Sequence, residues 1–180
     1  MNKKIAVIIG STRPGRIGEN ITNWVISKLP SNDTTYEVID LGVVNLPIFN
    51  EPMPPMMGQY QFAHTKDWSA KISGYDGVVV VSPEYNAGYP AVLKNAIDYL
   101  CNEWKDKPVT IVTYGYTGGA SANNQLREVF TRLNSRVTET LPTLHFSDGI
   151  FGDDYQVADL DTAFGAHVED ITKAGQELIV

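Results

Sequence analysis

Residues 77–100, GVVVVSPEYNAGYPAVLKNAIDYL, decide the fold. The stretch opens on four consecutive valines, too short for a helix and without polar alternation, as expected of a strand buried on both faces of a parallel sheet. It closes on a helical stripe, Leu93, Ala96, Ile97, Leu100 and Trp104. Between them lie two prolines, a glutamate, two tyrosines, Asn86 and Gly88. Pro90 fits the first turn of a helix because its missing N–H would be unpaired there. Asn86 and Gly88 tolerate positive φ, so the chain can turn sharply and present backbone groups outward.

The same grammar recurs outward from this stretch. Residues 4–9 (KIAVII) form a second buried run, and 36–41, 109–114 and 142–147 are weaker strand candidates. Ile17, Ile21, Trp24, Val25 and Leu29 make a helical stripe, as do Leu126, Val129, Phe130 and Leu133. Leu160, Phe164, Val168, Ile171 and Leu178 predict a terminal helix. Alternating strands and helices imply right-handed crossovers onto a sheet covered on both faces, a doubly wound α/β domain. Five parallel strands suit the flavodoxin-like order 2-1-3-4-5, whose switch point lies between strands 1 and 3. The loops starting at Gly10 and Ser82 should therefore carry the site. Residues 1–180 read as one domain. The Pro/Met-rich segment 45–58 reads as an ordered irregular loop beside the same sheet edge, with a mobile lid as the alternative.

Composition excludes several classes. A net charge of -7 and no Lys/Arg cluster argue against nucleic acid. No apolar run approaches the ~18 residues a membrane span needs. Two lysines precede the first apolar run, as in a secretion signal, but only five apolar residues come before Gly10, so a first strand is the better reading. The single cysteine, Cys101, leaves no internal disulfide and fits a cytoplasmic protein.

The stretch GSTRPGRIGEN, residues 10–20, joins a predicted strand to a predicted helix. A helix start offers unpaired N–H groups and partial positive charge, which suit a phosphate. Arg13 and Arg16 can add charged hydrogen bonds, and Ser11 a hydroxyl. Gly10 and Gly15 match the first half of a nucleoside-triphosphate loop, but Arg16 and Ile17 stand where its Lys and Ser/Thr would be. A metal-free terminal phosphate is the remaining match. The alternative is a plain turn with solvated arginines.

GSTRPGR after strand 1, SPEYNAGYPAVLKNAIDYL after strand 3 and TYGYTGGASANNQL after strand 4 together resemble the NAD(P)H-dependent FMN reductase family. The resemblance spans roughly residues 3–147. It implies that Ser11, Arg13, Arg16 and the helix-start amides near Gly18, Glu19 and Asn20 hold the FMN phosphate. It also implies flavin-ring contact by Pro83, Glu84, Tyr85 and Asn86, and a third ring-facing loop containing Gly115, Tyr116, Gly118 and Gly119. Glycines 115, 118 and 119 would let the backbone approach the ring, with N–H groups at 118 and 119 facing it. The first loop is longer than the family's common form and carries Arg16 where that form has a second serine.

The resulting expectation is an FMN-dependent enzyme that takes hydride from NAD(P)H and passes two electrons to a small acceptor such as a quinone, azo compound, flavin or metal oxyanion. A flavodoxin-type carrier and a non-catalytic redox sensor are the other readings. No catalytic side chain and no metal site is expected, and the resemblance implies a homodimer or homotetramer. His64, His145 and His167 lack metal-ligand spacing. Cys101 reads as a packing residue beside its helical stripe, Trp104 as core or subunit interface, and Asp153–Asp154 as a solvated acidic turn.

Overall fold

The computed structural model describes residues 2–180. Its sheet is parallel, in the order β2-β1-β3-β4-β5, with a sixth strand also paired to β4. The elements are β1 (Lys3–Ile9), α1 (Gly18–Lys28), β2 (Thr34–Asp40), α2 (Leu41–Val44), α3 (Ala63–Ser73), β3 (Gly77–Pro83), α4 (Ala91–Asp98), β4 (Pro108–Gly115), α5 (Ala120–Arg132), β5 (Arg136–Val137), β6 (Thr143–His145), α6 (Leu160–Phe164) and α7 (Val168–Ile179). The α/β class and the strand order 2-1-3-4-5 are those the sequence implies.

Every residue of β3 is buried, and full burial of one valine side chain is worth roughly 1.5–3 kcal/mol. Its alternate valines feed two cores. Val78 and Val80 pack with Trp68 of α3, Leu93 and Ile97 of α4, and Leu126 and Phe130 of α5. Val79 and Val81 pack with Ile21 and Val25 of α1, Phe164 of α6, and Ile171 and Leu178 of α7. A period of two on a doubly covered sheet therefore assigns helices to opposite faces.

Four local expectations need correction. The expected fifth strand, 142–147, is present in shortened form as β6, paired with the end of β4, and it is preceded by a two-residue strand that was not expected, β5, paired with the start of β4; between them the Thr138 hydroxyl lies 2.8 Å from Thr110 Oγ1. The stripe from Leu93 to Trp104 is not one helix. The helix α4 ends at Asp98 and a short 3-10 turn, Asn102–Trp104, carries Trp104 back into the core. Cys101 consequently lies in the connecting turn and not on the helix. The terminal helix is divided into α6 and α7 by a 3-10 turn at Gly165–His167. Helix α3 was not foreseen, since only Thr65, Trp68 and Ile72 are buried along it and the rest of its surface is polar or exposed.

The Pro/Met segment is ordered and irregular, as expected, but it sits against α4. Asn95 accepts from the Phe49 N–H and donates to the Pro47 carbonyl, both at 2.8 Å, while Tyr99 donates to Pro47 and Asn50. Glu51 receives the amides of Gln61 and Phe62. None of this segment reaches the cleft described next.

Candidate active site

The loops after β1, β3, β4 and β6 meet at the carboxyl ends of the strands and line one cleft of about 970 Å³. Among the expected residues, Ser11, Arg13, Arg16, Pro83, Glu84, Tyr85, Gly115 and Tyr116 line it. The first and third strand's loops are tied directly, Ser11 Oγ lying 2.6 Å from the Tyr85 hydroxyl. Ser11 is buried, while Tyr85 is 38% and Tyr116 69% exposed, so both rings offer faces to a ligand.

Helix α1 begins without a side-chain cap at Ile17 among the described residues. The first intrahelical bond there runs from the Ile21 amide to the Ile17 carbonyl. The amides of Gly18, Glu19 and Asn20 therefore precede the first helical bond, where an anion is favoured. Their side-chain positions do not line the cleft: Gly18 is packed under Tyr114, whose hydroxyl lies 2.8 Å from where a Cβ would be.

The two arginines differ. Arg16 pairs with Asp40 at the end of β2 and donates to the Ser11 carbonyl at 2.9 Å, so it fixes the loop and its charge is compensated. Arg13 is exposed and, among the described residues, has no ion-pair partner. It is the cleft cation left for a ligand.

In the loop after β3 the positive φ falls at Asn86 (50°) and Ala87 (60°), not at Gly88. Tyr85 and Gly88 exchange backbone hydrogen bonds at 2.7 and 3.0 Å, which closes a tight two-residue turn with two left-handed central residues. Asn86 lies at the exposed tip of that turn and outside the cleft lining. Pro90 sits one residue ahead of its expected place, at the N-cap of α4.

In the loop after β4 the glycines serve packing. A Cβ on Gly118 would meet His145 Nε2 at 2.6 Å and Thr143 at 2.9 Å, and one on Gly119 would meet Thr113 at 2.8 Å. The Gly118 N–H is bonded to the Gly115 carbonyl at 3.0 Å, and neither glycine lines the cleft. The start of α5 is occupied by the chain's own carboxylate: Glu84 accepts from the amides of Ser121 and Ala122 at 2.9 and 3.2 Å. Glu84 is thus an internal helix cap at the cleft's edge.

Sequence reasoning missed part of the wall. Tyr114 lines the cleft, and burial, reinforced by neighbouring Tyr85 and opposed by Arg13 and Arg16, pushes its phenol well above the ordinary range. Phe146 and Phe151 meet edge to face at 5.1 Å, with Tyr116 edge-on to both. The acidic pair Asp153–Asp154 is not merely a solvated turn, since it lines the cleft with Gly152, Tyr155 and Gln156. The Tyr114 signal was present in the quoted TYGYTGG; nothing in sequence spacing brings residues 151–156 to this rim. His145 and His167, distant in sequence, stack at 6.1 Å behind the third loop.

Residues 3–147 match the family described as NADPH-dependent FMN reductase. The chain is 40% identical over 193 residues to the NAD(P)H-dependent FMN reductase ntnL of Nectria sp, covering 97% of this chain and 94% of that protein. It is 46% identical over 145 residues to the NAD(P)H-dependent FMN reductase C4B3.06c of Schizosaccharomyces pombe, covering 78% and 72%. The fold is shared with FerB, a flavoenzyme NAD(P)H:(acceptor) oxidoreductase of Paracoccus denitrificans, with a TM-score of 0.72, 22% identity and 98% of each chain covered. A model match over most of its length, seated on the strands that build this cleft, makes the chain a member of the NADPH-dependent FMN reductase family.

Proposed function

We propose that this cleft holds FMN with its phosphate at the start of α1, and that the chain passes electrons from NAD(P)H to a small oxidised acceptor there. The observation that carries the assignment is the start of α1, uncapped by a side chain, beside Arg13, which has no ion-pair partner among the described residues, in the same cleft as Tyr85 and Tyr116. The cleft volume is within the range of small-molecule and cofactor sites, roughly 300–1,000 Å³. Bound FMN would supply the two-electron exchange with donor and acceptor.

The chain's own residues bind and orient. Arg13 and the α1 amides receive the phosphate, Ser11 and Tyr85 clamp the first and third strand's loops together, and Tyr85, Tyr116, Phe146 and Phe151 supply apolar surface. Glu84 holds the start of α5 and so fixes the loop after β4. Tyr114 stands in the wall as a neutral phenol, and burial moves its pKa still further above the ordinary value.

Residues 1–180 act as one cytoplasmic unit in this reading. Among the described residues no helix is long and apolar enough to cross a membrane. The exposed side chains of Val43, Ile48, Met53, Met56, Met57 and Phe62 support a homodimer or homotetramer; a 19.8 kDa particle in light scattering would overturn that. The activity test is NADH and NADPH oxidation by purified protein with FMN and a quinone. Sustained, acceptor-dependent turnover is expected, and FMN binding without turnover would favour a carrier or sensor instead.

A further inference from the structure

Beyond the family-matched residues, the cleft wall is completed by the hairpin from Phe151 to Val157, which pair as an antiparallel bridge. The Gly152 N–H donates to the Gln156 carbonyl at 2.9 Å, and the Tyr155 N–H to the Gly152 carbonyl at 3.0 Å. Phe151 seats its base against Phe146 and Tyr116. Its other end is held at the first turn of α1, where Asn20 Nδ2 donates to Gln156 Oε1 at 3.3 Å. The hairpin therefore lines the same cleft as Arg13, Pro14 and Gly15 and touches the first turn of the helix whose start offers its amides to an anion.

We propose that this hairpin is a stop that makes the cleft selective for a flavin mononucleotide over a flavin dinucleotide. The inference rests on the reading that the flavin phosphate lies at the start of α1. A mononucleotide ends at that phosphate. A dinucleotide continues from it into a second phosphate and an adenosine, which must leave past the first turn of α1, where Gln156 is tethered. Asp153 and Asp154 add carboxylates to that side of the cleft, in a chain already at net charge -7, so a second phosphate meets like charge as well as bulk. Riboflavin, without any phosphate, does not extend to the stop.

The test is binding of FMN, FAD and riboflavin to full-length apoprotein, read by quenching of flavin fluorescence. Wild-type protein is expected to bind FMN at least about tenfold more tightly than FAD, equivalent to about 1.4 kcal/mol. Replacing residues 152–156 by two glycines should tighten FAD by about tenfold relative to FMN, with riboflavin changed by less than about twofold. If the shortened chain does not fold, the double variant Asp153→Asn/Gln156→Ala, which keeps the Asp154 bond to the Gln156 amide, should narrow the FMN-to-FAD ratio by at least about threefold. Equal binding of FMN and FAD by wild-type protein, or an unchanged ratio in a folded variant, overturns the stop while leaving the FMN site in place. Failure of wild-type protein to bind FMN at all overturns the reading of the site beneath it.

Discussion

Helices α1 and α5 both start at the carboxyl rim of this sheet, and they are finished differently. Helix α5 begins on Gly119 with Glu84 already bonded to its Ser121 and Ala122 amides. Helix α1 begins on Ile17 with no side chain in that place among the described residues. Both starts carry the same partial charge. A helix start can serve as an anion site only where the chain has not filled it, which of these two leaves α1, the one beside Arg13. The arginines repeat the lesson, since Arg16 is compensated by Asp40 whereas Arg13 remains exposed.

The largest effect should come from glycine. At Gly118, with φ 67°, a Cβ meets His145 and Thr143. Gly118→Ala combines left-handed strain with overpacking, and should cost roughly 2–5 kcal/mol. At Gly15, with φ 68° and nothing within 4 Å, Gly15→Ala should cost only the conformational part, about 1–2 kcal/mol. Urea unfolding of both variants checks the contrast; equal losses would mean the loop after β4 is no more tightly packed than the first.

Glu84→Ala removes the cap from α5 and should lower stability by about 0.5–2 kcal/mol, measured by the same unfolding curves. Filling versus leaving open is at issue. If stability is unchanged, the carboxylate does not occupy that helix start in solution and the two ends are alike.

The smallest effect is on pH. Burial, aided by neighbouring His145 and opposed by Asp170, lowers the pKa of His167 below its usual 6.5. The folded chain thus resists protonation here, so the contribution is complete above that unfolded value and declines as pH falls below it. Because His145 lies against Gly118 and stacks on His167, acidification should loosen the loop after β4 before the first. His167→Gln should flatten the fall in thermal midpoint between about pH 7 and about pH 5; an unaltered slope would remove the pair from the loop's support.

Much of this was legible because burial writes itself in short periods. The valines of β3 and the KIAVII run of β1 gave their strands directly, and alternate residues along them do face separate cores. The short β5 was not legible, since Arg136 and Val137 are too few to show a period of two. Helix α3 escaped notice because three buried residues on a polar surface make a weak stripe. At the site, turns and residue types pointed to Ser11, Arg13 and Tyr85. Whether an arginine or a helix start is already taken depends on partners such as Asp40 and Glu84, which lie 24 and 37 residues from the groups they bind. The approach of residues 151–156 to the rim depends on tertiary packing of Phe146, Phe151 and Phe164.

The most direct test is calorimetric titration of wild-type and Arg13→Ala apoprotein with FMN and with riboflavin. Loss of charged hydrogen bonds worth about 1.5–3 kcal/mol should weaken FMN roughly ten- to a hundredfold, while riboflavin binding, which involves no phosphate, stays within about twofold. FMN bound equally tightly by both proteins, or both ligands weakened alike, would contradict a phosphate site at the open start of α1.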